Sequence, residues 1–155
     1  MSKALLQTVG IGLIFSALLL TSCIGGGNDT MNEKISSQLF TQLDLRREQI
    51  DDPTPDRLEI MQNMGMSVDN LEIHRIFIHV TQKLSPSQIE EIETIGITLY
   101  LDSWIPPVGD HPTGYLIADM PVDSLEKLTG KDYIVRLETA EHQLQPQNGA
   151  QPQSR

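Results

Sequence analysis

One thiol, four imidazoles and 21 carboxylates are the groups in this chain that could do chemistry. The thiol is Cys23, in the run Leu20-Thr21-Ser22-Cys23-Ile24-Gly25. With no second cysteine it cannot close a disulfide within the chain. The imidazoles are His74, His79, His111 and His142. His74 and His79 share one strand-like run, but their odd separation sends them to opposite faces, so they do not share a metal. His111 falls in a loop and His142 in a tail. The spacing predicts four unrelated surface or half-buried histidines and no metal centre. Asp102, Asp110 and Asp119 lack the alternating oxygens and central glycine of a calcium loop. No serine stands in a glycine-flanked turn and no His/Asp pair has a protease-like setting. The residues assign no catalytic group and no cofactor, and the chain is not read as an enzyme. Trp104, beside Pro106 and Pro107, is either a rigid contact point or a cap on the edge of a small core.

The surroundings of Cys23 define a location. Lys3 gives a positive start, residues 4–20 are mostly apolar, and Thr21-Ser22 are small. This is the layout of a secretory signal, and its apolar part is short for a spanning helix, which needs about 20 residues. Leu20-Thr21-Ser22-Cys23 resembles the lipobox of bacterial lipoproteins. That resemblance implies diacylglycerol on the Cys23 sulfur, cleavage before it, and acyl chains such as palmitate holding the protein to the extracytoplasmic side of a bacterial membrane, in the cell envelope. Each buried methylene contributes about 0.8 kcal/mol to such an anchor. The competing reading is an uncleaved signal anchor with an incidental cysteine. Residues 23–30 read as a flexible Gly-rich tether. Residues 23–155 carry 10 Lys+Arg against 21 Asp+Glu. So acidic a surface argues against nucleic acid and against electrostatic adhesion to anionic lipid.

Behind the tether, residues 31–68 predict a helical, polar segment. Ile35, Leu39 and Leu43 recur at helical spacing, Pro53 and Pro55 break the run, and a second short helix extends to Met64. Neither helix has the apolar area to stand alone. Met61, Met64 and Met66 dock on the domain C-terminal to them or form a soft patch.

Residues 69–141 carry the fold. Residues 71–81 alternate as a strand. Ser85-Pro86-Ser87-Gln88 opens a helix with a capping box and a proline at its first position, and Gly96 closes it. Residues 97–101 and 114–120 predict strands two and three around a long loop with Trp104. Residues 121–128 predict a short helix and 133–138 the fourth strand. The order β-α-β-β-α-β implies an α+β, ferredoxin-like domain: a four-stranded antiparallel sheet with two helices on one face. Ile76, Ile78, Val80, Ile92, Leu99 and Leu125 are the expected core. Arg75, Phe77, His79 and Tyr100, with Tyr115 or Leu116, fall on the other face, which either docks a partner or is covered by the helix over 31–50. Residues 142–155, rich in Gln and Pro, cannot bury enough to order themselves.

Several of these pieces have a familiar spacing: Arg75-Ile76-Phe77-Ile78-His79-Val80, the helix over 85–96, the run from Gly114 to Pro121, Leu125-Glu126-Lys127-Leu128, and Tyr133-Ile134-Val135-Arg136-Leu137-Glu138. Together, residues 71–141 resemble the propeptide domain of subtilisin-like serine proteases, which also occurs as a free-standing peptidase inhibitor. The resemblance implies that the bare sheet face lies on two helices of a protease. It implies that Glu138 caps those helices. It implies that the segment from Thr139, Ala140, Glu141 and His142 to Leu144 enters the cleft like a product. Phe77, Tyr100 and Trp104 are further partner-binding candidates. The loop over 102–113 is longer than such a hairpin needs, and 17 residues follow Glu138 with no protease domain among them. The expectation is action in trans on a subtilisin-type protease, as inhibitor or folding assistant. The competing expectation is a non-enzymatic envelope interaction module. The sequence leaves the oligomeric state open.

Overall fold

The computed structural model describes residues 33–141. The signal, Cys23 and the rest of the tether, His142 and the tail lie outside the described residues. Two helices come first. Ser36 accepts a hydrogen bond from Leu39 N and starts α1 (Ser37–Asp51); Thr54 does the same for Arg57 N and, with Pro55 next, starts α2 (Pro55–Asn63). Side-chain caps of this kind satisfy amides that a helix start leaves unpaired. The chain continues through β1 (Ile73–Val80), α3 (Pro86–Thr94), β2 (Thr98–Ile105), β3 (Gly114–Pro121), a 3-10 turn (Val122–Ser124), α4 (Leu125–Thr129) and β4 (Arg136–Thr139). The Ser85–Gln88 capping box forms as its sequence implies, and Gly96 closes α3 at φ 88°.

The four strands form one antiparallel sheet in the order β2-β3-β1-β4, the ferredoxin-like arrangement. Strand alternation sends Ile76, Ile78, Val80, Leu116, Ala118, Met120 and Leu137 to one side, where they are buried with Ile92 of α3 and Leu125 and Leu128 of α4. Leu99 belongs to the same face, paired with Ala118, but stays half-buried because β2 is an edge strand.

The N-terminal helix sits on this side too. Leu39 and Leu43 of α1 are fully buried in the same cluster, so three helices share one face of the sheet. Its role as a cover for the opposite face is therefore corrected. The cause lies just before the helix. Ile35 bridges Leu137 in parallel, Ser36 N donates to Leu137 O at 3.0 Å, and Lys34 Nζ donates to Thr129 O and Lys131 O at the end of α4, both at 3.0 Å. These bonds bring the chain in along β4 and turn α1 onto the helix side. Helix α2 packs beside α1 with Met61 buried, and Met66 follows it inward, while Met64 is only half-buried.

Strands β2 and β4 depart furthest from their expected bounds. Strand β2 runs on to Ile105, because a bulge takes up the polar stretch: pairing slips between Tyr100 and Ile105, and Ser103 Oγ accepts from Ile117 N at 2.8 Å. Strand β4 starts only at Arg136, because Ile134 N turns back to Lys131 O. Trp104 is half-buried against the core and lies on Gly114, where a Cβ would come within 2.5 Å of the indole and 2.3 Å of Ile105 O. It caps the edge of the core, one of its two expected roles, and keeps part of its surface exposed.

Candidate functional site: the open sheet face

No described element packs over the other face of the sheet, and the register lays it out in rows. Arg75 pairs with Asp119, which pairs with Thr98. Next, Glu138, Phe77, Ile117 and Tyr100 stand side by side across all four strands. Then come Arg136, His79, Tyr115 and Ile105. The middle is apolar and aromatic: the Phe77 and Tyr115 rings meet edge to face at 5.2 Å. Phe77, His79, Tyr115 and Ile117 are half-buried, and Tyr100 is exposed.

A polar cluster stands at each end of this strip. Arg75 holds Asp119 through two bonds, Nε to Oδ1 at 2.7 Å and Nη2 to Oδ2 at 3.1 Å, and Tyr100 Oη donates to Asp119 Oδ2 at 2.6 Å. The Arg75 guanidinium lies 5.5 Å from the Tyr100 ring centre. The hydrogen bond from Arg75 holds the Asp119 carboxyl below its usual range, and the bond to Asp119 raises the Tyr100 phenol. At the other end Glu138 accepts from Arg136 at 2.8 Å and pairs with His79 Nε2 at 3.1 Å. The loop after β2 leans over that end. Its residues Pro106, Val108, His111 and Thr113, with Tyr115 and Glu138, line an open groove of about 370 Å³.

Behind the sheet, on the helix side, a second polar group closes around Arg46, which is fully buried. Its Nε donates to His74 Nδ1 at 2.8 Å, Nη1 to Asn70 O at 3.0 Å, and Nη2 to Ser67 O at 2.9 Å and to the Glu141 carboxylate at 2.7 and 3.0 Å. Glu141 also accepts from Ser67 N and Arg75 N, both at 3.0 Å. Because Nδ1 accepts, the His74 proton sits on Nε2, facing Thr139 Oγ1 at 3.0 Å. Burial above all, with Arg46 adding to it and Glu141 opposing, lowers the His74 pKa to about 4. His74 is thus a neutral, fully buried histidine rather than the surface or half-buried one expected, while His79 is on the open face.

The predicted site residues separate accordingly. Phe77, Tyr100 and Glu138 come together on the open face, and Trp104 lies at its edge on the core side. Thr139 and Ala140 continue the pairing with β1, and Glu141 is held by Arg46. A segment free to enter a partner's cleft therefore begins no earlier than His142. Asp119 is occupied by Arg75 and Tyr100, and no group of three or more potential metal ligands occurs among the described residues. Sequence reading missed Arg46 and its clasp. The signal was Arg46 itself, three residues after Leu43 and seven after Leu39, a charge on the apolar stripe of α1. Comparison of the chain with protein-family models, curated proteins and solved structures finds no match. What the fold and face define is a class only: a small α+β domain, three helices on one side of its sheet and a bare aromatic-centred surface on the other.

Proposed function

We propose that this chain is a lipoprotein of the cell envelope, held by lipid on Cys23, whose open sheet face docks a subtilisin-type serine protease as inhibitor or folding assistant. The observation that carries the reading is the position of α1. With α1 on the helix side, the strip of Phe77, Tyr115 and Ile117 is left without a covering element among the described residues. A continuous aromatic and aliphatic strip with polar ends suits an interface whose apolar centre is ringed by polar groups. Glu138 stands at the tail end of β4, on that face, with its carboxylate partly exposed. A carboxylate so placed can accept from the unpaired amides of a partner's helix starts. The spacing over 71–141 that resembles the propeptide domain supports the same partner.

One observation favours a second reading, a face-only interaction module that has no use for a cleft segment. Residues Thr139, Ala140 and Glu141 are tied into the domain and do not lead freely away from it. The two readings part in one titration. Residues 28–155 and residues 28–141, which keep the Arg46–Glu141 clasp, are titrated against a broad-specificity subtilisin-type protease. Inhibition by the longer form alone supports a cleft-entering segment from His142 onward. Equal binding by both supports the face-only module. No binding by either, with both folded, overturns the protease reading.

A further inference from the structure

We infer that the end of the sheet bearing the β2–β3 loop faces lipid, with the tip formed by Ile105, Pro106, Pro107 and Val108 resting at the surface of the bilayer that holds the Cys23 anchor. This rests on the lipid-anchor reading and adds an orientation and a second membrane contact to it. Three features of the molecule carry it.

The first is where the chain enters. The parallel bridge between Ile35 and Leu137 points Glu33 back toward the Arg136 end of β4. Across the sheet Arg136 pairs with His79, His79 with Tyr115, and Tyr115 with Ile105. Chain entry and loop therefore share one end. Nine residues, 24–32, separate Cys23 from Glu33, a reach of about 30 Å at full extension. The opposite end of the sheet is a further strand length away, roughly 27 Å for eight residues.

The second is the chemistry of the tip. Residues 103–109 carry no charge in a chain of net charge −10. Val108 is 66% exposed and Ile105 43% exposed. The exposed aliphatic side chains that flank the two prolines lose contact with water at a headgroup boundary.

The third is the charge at the far end. Arg47 reaches Val122 O there, and Asp51, Glu72 and Asp123 line the same hollow. The entry end instead bears Lys34, Lys131 and Arg136, with Glu138 beside Arg136. Anionic lipid repels the acidic end, so a domain pivoting on a short anchor turns the uncharged tip inward. The anchor also supplies a high local concentration, so the tip needs little affinity of its own.

The test uses the full lipidated chain in mixed phosphatidylcholine–phosphatidylglycerol vesicles that contain nitroxide-bearing lipid. Val108→Cys carries an environment-sensitive fluorophore; Glu59→Cys, on α2, carries the same label as the distant reference. Both sites are exposed, so labelling leaves the core intact. The expected result is a blue-shifted label at 108, quenched several-fold more strongly than the label at 59. Equal quenching, with the chain floating with the vesicles and the lipid mass present on Cys23, overturns the tip contact and leaves the anchor standing. A chain that carries no lipid mass and does not float overturns the anchor and this inference together.

Discussion

Two groups of side chains in this domain are built from the same three residue types and have opposite properties. On the helix side, Arg46, His74 and Glu141 form a clasp with side-chain exposures of 0%, 0% and 9%. On the open face, Arg136, His79 and Glu138 form a chain of contacts with exposures of 55%, 18% and 33%. Both histidines belong to β1, five residues apart, so strand alternation alone decides which side each serves. Buried, the ions must be fully bonded: Arg46 reaches two carbonyls, a ring nitrogen and a carboxylate, and Glu141 accepts two amides besides. Exposed, Glu138 keeps water on its open side and can exchange partners. The first arrangement fixes the fold by tying α1 to the end of β4. The second leaves a carboxylate available for recognition.

The contrast is tested most severely by removing the arginine from each group, beginning with the buried one. Arg46→Met leaves Glu141 without its counter-ion and Nδ1 of His74 without a donor. An ion buried and abandoned in this way costs about 3–5 kcal/mol, so urea denaturation of Arg46→Met should show a large loss of stability. Replacing the pair, Arg46→Met with Glu141→Leu, should recover part of it, because no stranded charge remains. A loss under about 1 kcal/mol in the single variant would mean the clasp contributes nothing particular to the fold.

The next effect is on pH. Unfolded, His74 titrates near 6.5; folded, at about 4. The unfolded chain therefore binds a proton between those values that the folded chain refuses. Stability from this group is full above about pH 6.5 and declines as pH falls, with about 3 kcal/mol lost by pH 4. His74→Asn, which keeps an acceptor toward Arg46 and cannot titrate, should flatten that window in denaturation curves taken from pH 7 to pH 4. An unchanged pH slope in the variant would place the acid sensitivity elsewhere.

For the open face the expectation reverses: small effects on stability and large ones on binding. Glu138→Ala should leave the unfolding free energy within about 1 kcal/mol of the parent, and Phe77→Asp, at a half-buried ring opposite Glu138, should leave the domain folded. They should weaken association with a subtilisin-type protease at least tenfold, a loss of about 1.4 kcal/mol in binding. Unfolding by Phe77→Asp would show instead that this ring belongs to the core.

Much of the fold is legible in local patterns. The β-α-β-β-α-β order follows from alternation, a capping box and glycine stops, and each acts within a few residues. The placement of α1 does not. It depends on Ile35, Ser36 and Lys34 meeting β4 and the end of α4, about a hundred residues on. The extension of β2 was hidden for another reason: Asp102 and Ser103 break the alternation, and only the bulge explains how a strand continues through them. Of the site, Phe77 and Tyr100 were legible from strand parity, and Glu138 only through the resemblance to the propeptide domain. The His79–Glu138 pair was not, because it needs the register of β1 on β4.

The smallest expected effect belongs to the open-face arginine. Arg136→Ala removes the guanidinium 2.8 Å from Glu138, but Glu138 keeps His79 at 3.1 Å and gains water. The side chain of Arg136 is more than half exposed, so solvent replaces most of what the pair gives. The expected loss is about 0.5 kcal/mol, and it should fade in 1 M salt, where screening acts over roughly 3 Å. A double-mutant cycle on Arg136→Ala and Glu138→Ala, measured by urea denaturation at low and high salt, reads the coupling directly. A coupling of several kcal/mol that survives salt would mean Glu138 is locked as firmly as Glu141. A partner would then have to break that lock before using the carboxylate. Weak, salt-sensitive coupling leaves Glu138 free to turn from Arg136 to the amides of a docking helix at little cost, as recognition through this face requires.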